Sequence, residues 1–290
     1  MSEATELRDG AGVVQTGERC EGERHPRVSE PLPLEGAHNV RDLGGYETPD
    51  GVTTDGAFLR ADALAGLTGP DVTVLERYGL SLVIDLRASE EAARSCDPFG
   101  EGSVHPEVAY EHVPLIDGMN SGLAAGQIPE SLASLYCGLL DDSSASIARV
   151  MSLLAATEGC GLFHCSAGKD RTGVIAMLLL GLAGVADEDI VADYAATEGY
   201  MAEAFAVQRR QLEALGFKLP GFMFESKPES MRAALAHLHE RYGTARDYLV
   251  WAGCDEVTLE VLAHKLGGHC GASEPARAAS GQHQREDELR

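Results

Sequence analysis

Cys165 and Arg171 bound a C-x5-R interval inside the run His164-Cys165-Ser166-Ala167-Gly168-Lys169-Asp170-Arg171-Thr172-Gly173. Thiolate is the nucleophilic form of cysteine, yet a free thiol with a pKa near ~8.5 is mostly protonated at neutral pH. The surrounding pattern predicts a short buried strand over Leu162–His164 and a helix over Thr172–Gly184, apolar nearly all round, with Cys165 between them. The thiol then sits beside unpaired backbone N–H groups at the positive end of a helix, which favours the thiolate and cradles an oxyanion. Ser166, Ala167, Gly168, Lys169 and Thr172 would line that cradle, and Gly168 permits backbone geometry that a Cβ would hinder. Arg171 can fork two hydrogen bonds onto equatorial phosphate oxygens. Thr172 can donate to the sulfur, and His164 is better placed to order the loop from behind than to act as a base. The chemistry these residue types imply is displacement at a bound phosphate by sulfur.

Other uses of the same residues fail on spacing. A Walker A loop would need Gly where Phe163 stands and Ser or Thr where Asp170 stands. A cysteine–histidine protease pair faces across a cleft rather than standing adjacent in sequence. Metal binding through His164 and Cys165 lacks further clustered ligands, so the expectation is no metal and no cofactor.

The elements that must position this run make up a chain of 290 residues, 44% hydrophobic and 24% charged. Helices are predicted over Thr68–Tyr78, with Thr68 as N-cap, and over Ser131–Leu140, Ser144–Ala156, Asp187–Tyr194, Tyr200–Leu215, Pro228–Tyr242 and Asp255–Leu266. Ser81–Leu86 and Val108–Leu115 read as strands, and Ala37–Tyr46 with Thr48–Gly51 as a loop and turn before another. Strands mixed with helices, then helices alone, indicate an α/β fold: a central sheet flanked by helices with a helical C-terminal half. One domain over 29–269 is the simplest division, with disordered tails at 1–28 and 270–290.

The formal net charge is −23. Such a chain repels nucleic acid and anionic lipid at long range, so an anionic substrate must be captured by a local positive site. Seven cysteines with no C-x-x-C pair fit a reducing compartment. Met1–Arg27 lacks an apolar export segment, and the longest apolar run, Val174–Val185, is too short to cross a membrane. A cytoplasmic protein without membrane insertion is expected.

The loop resembles that of the bacterial tyrosine-protein phosphatases of the mycobacterial secreted type, an atypical branch of the dual-specificity-like superfamily. Asn39–Tyr46, Phe58-Leu-Arg-Ala-Asp62, Val83-Ile-Asp-Leu-Arg87 with Glu90-Glu91, Asp193-Tyr194 and Tyr242–Leu249 are similar to further blocks of that family, over about 30–267. The resemblance implies the tyrosine-phosphatase fold and a metal-free, two-step hydrolysis of phosphate monoesters through a cysteinyl phosphate. It implies phosphotyrosine foremost, on a phosphorylated protein or a small phosphomonoester, with phosphoserine, phosphothreonine and phosphoinositides as further substrates. Lys169, a second cation in the loop, suits a multiply phosphorylated head group. No Trp-Pro-Asp loop exists, and three aspartates compete as general acid: Asp170, which matches the family's loop acid, then Asp117 and Asp85.

Two features stay open at the sequence level. Cys160 could form a disulfide with Cys165 or simply pack in the core, and Gly216–Lys227 could form a lid or pack as a loop. Rival readings are a phosphate-binding pseudophosphatase module and a phosphate- or sulfate-transferring enzyme. The intact Cys165, Arg171 and Thr172 argue against the first.

Overall fold

The computed structural model describes residues 26–115 and 129–267. The expected tails fall outside these residues except for 26–28, where the Arg27 amide donates to Asp189 Oδ1 at 2.9 Å.

A five-stranded sheet forms the middle layer, in the order β1-β4-β7-β5-β6. The strands are β1 (Arg41–Asp42), β4 (Phe58–Ala61), β7 (Cys160–His164), β5 (Leu80–Asp85) and β6 (Ala109–His112); β2 (Glu47–Thr48) and β3 (Gly51–Val52) make a separate hairpin. β4, β7, β5 and β6 run parallel, and β1 is antiparallel to β4. The register pairs Ala61 with His164, His164 with Asp85, and Asp85 with His112. The chain therefore leaves all four parallel strands along one edge, where open α/β sheets bind ligands.

β7 is buried along its whole length, and its side chains alternate between the two faces. Phe163 joins the larger core with the helices, whereas Cys160 and Leu162 join a smaller core with Val72 and Leu75 of α1 (Gly69–Arg77). Thr68 caps α1 in a reciprocal capping box with Asp71, as its position before the apolar run predicted. α2 (Ser89–Arg94) follows β5. The larger core is built by α3 (Leu132–Asp142), α4 (Ser144–Ala156), α5 (Asp170–Leu182), α6 (Asp187–Tyr200), α8 (Pro228–Tyr242), α9 (Ala245–Ala252) and α10 (Glu256–Lys265). α7 (Ala202–Ala214) buries only Phe205. α5 is buried on every side from Arg171 to Leu180, which explains its lack of amphipathicity.

Two helices escaped the sequence reading. α2 is six residues long and α9 eight, too short for periodicity to register. α5 begins at Asp170 rather than Thr172, so Asp170 and Arg171 belong to its first turn.

Candidate active site

Cys165 leaves β7 at the carboxyl edge of the sheet, and the chain turns through Ser166–Lys169 into α5. Three successive carbonyls of this turn are held from outside. Ser166 O accepts from the Ala63 amide at 3.2 Å, Ala167 O from Asn39 Nδ2 at 3.0 Å, and Gly168 O from Arg60 Nη2 at 2.7 Å. A trans peptide points its N–H opposite its C=O. Pinning these carbonyls therefore turns the amides of Ala167, Gly168 and Lys169 to the other side of the loop. None of the three donates to a described group. Successive amides turned to one side at a helix N-terminus are an arrangement able to cradle an anion. Gly168 adopts φ +64°, and a Cβ there would lie 2.6 Å from Ala61 O, so this position requires glycine on both counts.

The holding groups are themselves anchored. Asp62, just past β4, accepts the Asn39 amide at 2.9 Å. Arg41 donates to Asn39 Oδ1, and with Nε and Nη2 to Asp193 Oδ1 at 3.3 and 3.2 Å. Arg60 Nη1 donates to Asp193 Oδ2, and Tyr46 to Asp193 Oδ1 at 2.9 Å. Burial alone would raise the Asp193 carboxyl, but Arg60, Arg41 and the Tyr46 hydroxyl outweigh it and hold Asp193 ionised. Asn39 and Arg41 thus anchor the loop, and Asp42 anchors its own turn through the Gly44 and Gly56 amides.

Arg171 is buried and forks onto Glu91 of α2, with Nη1 to Oε2 at 2.5 Å and Nη2 to Oε1 at 3.0 Å. Glu91 Oε1 also accepts from Ser166 Oγ at 2.6 Å. Burial would raise the Glu91 carboxyl, but the Arg171 hydrogen bonds and charge lead the effects that push it down to about 2. Burial likewise opposes the charge on Arg171, yet Glu91 and the Cys165 sulfur raise it above the ordinary arginine value. Arg171 Nε and Thr172 Oγ1 are both buried and have no hydrogen-bond partner among the described residues. Both can donate to a further acceptor.

The three candidate acids separate clearly. Asp170 is partly exposed at 24%; its Oδ1 accepts from Tyr136 Oη at 2.7 Å. Asp117 lies outside the described residues. Asp85 is fully buried and accepts from Arg87 Nε at 2.9 Å, Arg87 Nη2 at 2.6 Å and Tyr110 Oη at 2.8 Å. Burial would raise Asp85, but hydrogen bonds from Arg87 and the charge of His164 hold it down at about 2. A carboxylate so held is a poor proton donor, and it faces its own arginine; the expectation of Asp85 as an alternative acid is corrected accordingly. Asp85 braces His164 at 3.8 Å, and Asp97 Oδ2 reaches His164 Nε2 at 3.1 Å. These three side chains gather closely enough for a cation, but the Arg87 guanidinium already supplies one.

Lys169 is not a solvated loop lysine. Its Nζ donates to Met223 O at 2.7 Å and Glu225 O at 2.9 Å, and it is 1% exposed. Within Gly216–Lys227, a turn of 3-10 helix over Gly221–Phe224 packs Phe224 against Phe205, while Phe217 stays exposed. The segment is thus fastened to the loop through Lys169.

Cys160 opens β7 and Cys165 directly follows its last residue. Five residues at a strand's rise of about 3.3 Å put their Cα atoms roughly 16 Å apart, where a disulfide needs about 4.4–6.8 Å. Cys160 packs in the smaller core, and burial, with the nearby Asp42 charge, pushes its thiol up to about 12. The intramolecular disulfide is ruled out in this fold.

Sequence reading missed the roles of Arg60, Glu91, Tyr136 and Asp193. Arg60 and Asp193, charged residues in otherwise apolar runs, carried a signal; Tyr136 sits on the apolar face of α3 and carried none.

Comparison with known proteins gives a family model described as the tyrosine phosphatase family, matched over residues 32–267. A relative named tyrosine-protein phosphatase, from Nostoc commune, is 34% identical over 221 residues, covering 73% of this chain and 74% of the relative. The triple specificity protein phosphatase PtpB of Mycobacterium tuberculosis is 27% identical over 277 residues, covering 81% of this chain and 98% of its own. Among solved structures, P. aeruginosa TpbA aligns with 72% of this chain and 95% of its own at 15% identity and a TM-score of 0.35, a likeness too loose to argue from.

Proposed function

The chain belongs to the tyrosine phosphatase family, and from that premise we propose that it hydrolyses aryl phosphate monoesters, phosphotyrosine foremost, with Cys165 as nucleophile, Arg171 as phosphate clamp and Asp170 as general acid. The observation that carries this reading is the set of outward-held carbonyls at Ser166, Ala167 and Gly168, which leaves a row of free amides beside the thiol.

In the first step Cys165 Sγ attacks phosphorus. The S–P bond forms, the bond to the leaving oxygen breaks, and Asp170 gives that oxygen its proton. The loop amides and Arg171 Nε hold the equatorial oxygens as charge moves onto them. In the second step water attacks phosphorus, Asp170 takes the water proton, and the S–P bond breaks while Thr172 Oγ1 donates to the departing sulfur. Every group involved belongs to the chain or to water.

The ammonium of Lys169 is committed to Met223 O and Glu225 O, so its contribution to phosphate binding is its main-chain amide. A phosphoinositide role therefore draws no support from its side chain. The name of PtpB, a triple specificity protein phosphatase, supports a substrate range wider than phosphotyrosine alone. No helix among the described residues is long and apolar enough to cross a membrane, and a cytoplasmic site of action fits the free cysteines. The test is turnover of para-nitrophenyl phosphate by the wild type and by Cys165→Ser. Turnover that survives in the variant would reject the assignment of the nucleophile.

A further inference from the structure

Asp170 is the only partly exposed member of a chain of hydroxyls that runs into the core. Tyr136 Oη lies 2.7 Å from Asp170 Oδ1 and 2.7 Å from Tyr194 Oη. Both tyrosines are buried, and their rings meet edge-on with centroids 5.7 Å apart. A buried phenol needs a partner for its hydrogen, and each has one hydrogen to give. An ionised Asp170 can only accept, so Tyr136 gives its hydrogen to Oδ1 and Tyr194 gives its own to Tyr136. The direction of the chain follows from counting protons.

We propose that Tyr136, supported by Tyr194, is a positioning residue for the general acid: it pins Asp170 Oδ1 so that Oδ2 is the oxygen that carries and delivers the proton. This inference rests on the reading of Asp170 as the acid. Oδ2 has no hydrogen bond among the described residues, whereas Oδ1 is taken. Protonation at Oδ2 leaves the Tyr136 bond intact, so the carboxyl keeps one orientation through both steps. Burial, joined by the Asp170 charge, holds the Tyr136 hydroxyl well above its ordinary value, so it remains a donor throughout. The proton of Tyr136 never leaves it; only the Oδ2 proton moves, to the leaving oxygen in the first step and back from water in the second. The other charged groups facing Asp170 are Lys169, with Nζ 3.6 Å from Oδ1, and Arg171; both stand on its own loop and turn. Neither offers a rigid ring set in the core.

Leaving-group dependence is the readout, because a merely structural defect lowers turnover of every substrate alike. Para-nitrophenyl phosphate expels a good leaving group and needs little proton donation; phenyl phosphate, like phosphotyrosine, needs it fully. Losing a hydrogen bond to a charged group corresponds to roughly tenfold in rate. Tyr136→Phe should therefore lose about tenfold in kcat/KM on phenyl phosphate and much less on the nitrophenyl ester; kcat/KM, the parameter compared for every variant, covers the first step alone and leaves out the water step common to both esters. Asp170→Asn is measured alongside. If Asp170→Asn shows the selective loss and Tyr136→Phe does not, the proposal is overturned and the acid stands. If Asp170→Asn loses both substrates equally, the acid assignment falls and the proposal with it. In the double variant Tyr136→Phe should cost nothing beyond Asp170→Asn; a further loss would overturn action through Asp170. Should Tyr136→Phe fold poorly, Tyr194→Phe carries the same test one hydrogen bond further out, with a smaller selective loss expected and an equal loss on both substrates again overturning the proposal.

Discussion

Replacing Asp193 by Asn removes the one anion that two buried arginines share. Arg41 and Arg60 are both 0% exposed, and Asp193 meets them with opposite oxygens. Asparagine keeps one acceptor and turns an NH2 group toward the other guanidinium, so one arginine loses its bond and both lose their counter-charge. Removing one partner of a buried ion pair costs about 3–5 kcal/mol. For a domain of this size each kcal/mol shifts the melting temperature by roughly 2–4 °C, so a fall of about 6–20 °C is expected. The assay is urea denaturation of both proteins at neutral pH, with calorimetry as a second probe; the midpoint should fall while the m-value holds. Turnover at low temperature, where the variant is still folded, should also fall, because Arg60 holds Gly168 O. In a double-mutant cycle with Arg60→Met, the two changes should cost clearly less together than their sum. A midpoint shift worth less than about 1 kcal/mol, or strict additivity in the cycle, would refute the claim that Asp193 is the hub of the loop's support.

The remaining expectations concern Glu91 and Cys160. Glu91 sits at about 2 in the folded protein, below its ordinary carboxyl value of ~4.3, so its ionised form contributes stability at neutral pH that is lost as pH falls from about 4 toward 2. After discounting for solvent screening of a partly exposed group, the contribution is ~1–2 kcal/mol. Glu91→Gln should therefore unfold more easily than wild type at pH 7, with the gap narrowing toward pH 3 in denaturation curves; a gap independent of pH would count against the pairing with Arg171. Cys160→Ala should be inactivated by peroxide at the wild-type rate. Mass spectrometry of the oxidised wild type should find no peptide linking residues 160 and 165.

How far the site was legible depended on how local its causes are. Cys165, Gly168, Arg171 and Thr172 announced themselves because a strand, a turn and a helix N-terminus follow one another along the chain. The α/β layering and the long helices were equally readable, since each rests on periodicity within a single segment. What stayed hidden came from elsewhere in the fold. Glu91 reaches Arg171 because β5 lies beside β7, a neighbour relation set by sheet order. Tyr136 had the spacing of a core residue, and only tertiary packing brings its hydroxyl to Asp170. Lys169 and Asp85 were misread for the same reason: each has polar partners that no local pattern encodes.

The outward-held carbonyls of the loop carry one further consequence, for the order of events as the chain folds. Asn39 and Ala167 are 128 residues apart in sequence, Arg60 and Gly168 108, and Arg41 and Asp193 152. Contacts of such separation close late, because the entropy of long loops must be met before they form. A partly folded chain thus has the cysteine but not the cradle. Catalytic power should return on refolding only with the last long-range contacts, in step with the global signal and never ahead of it.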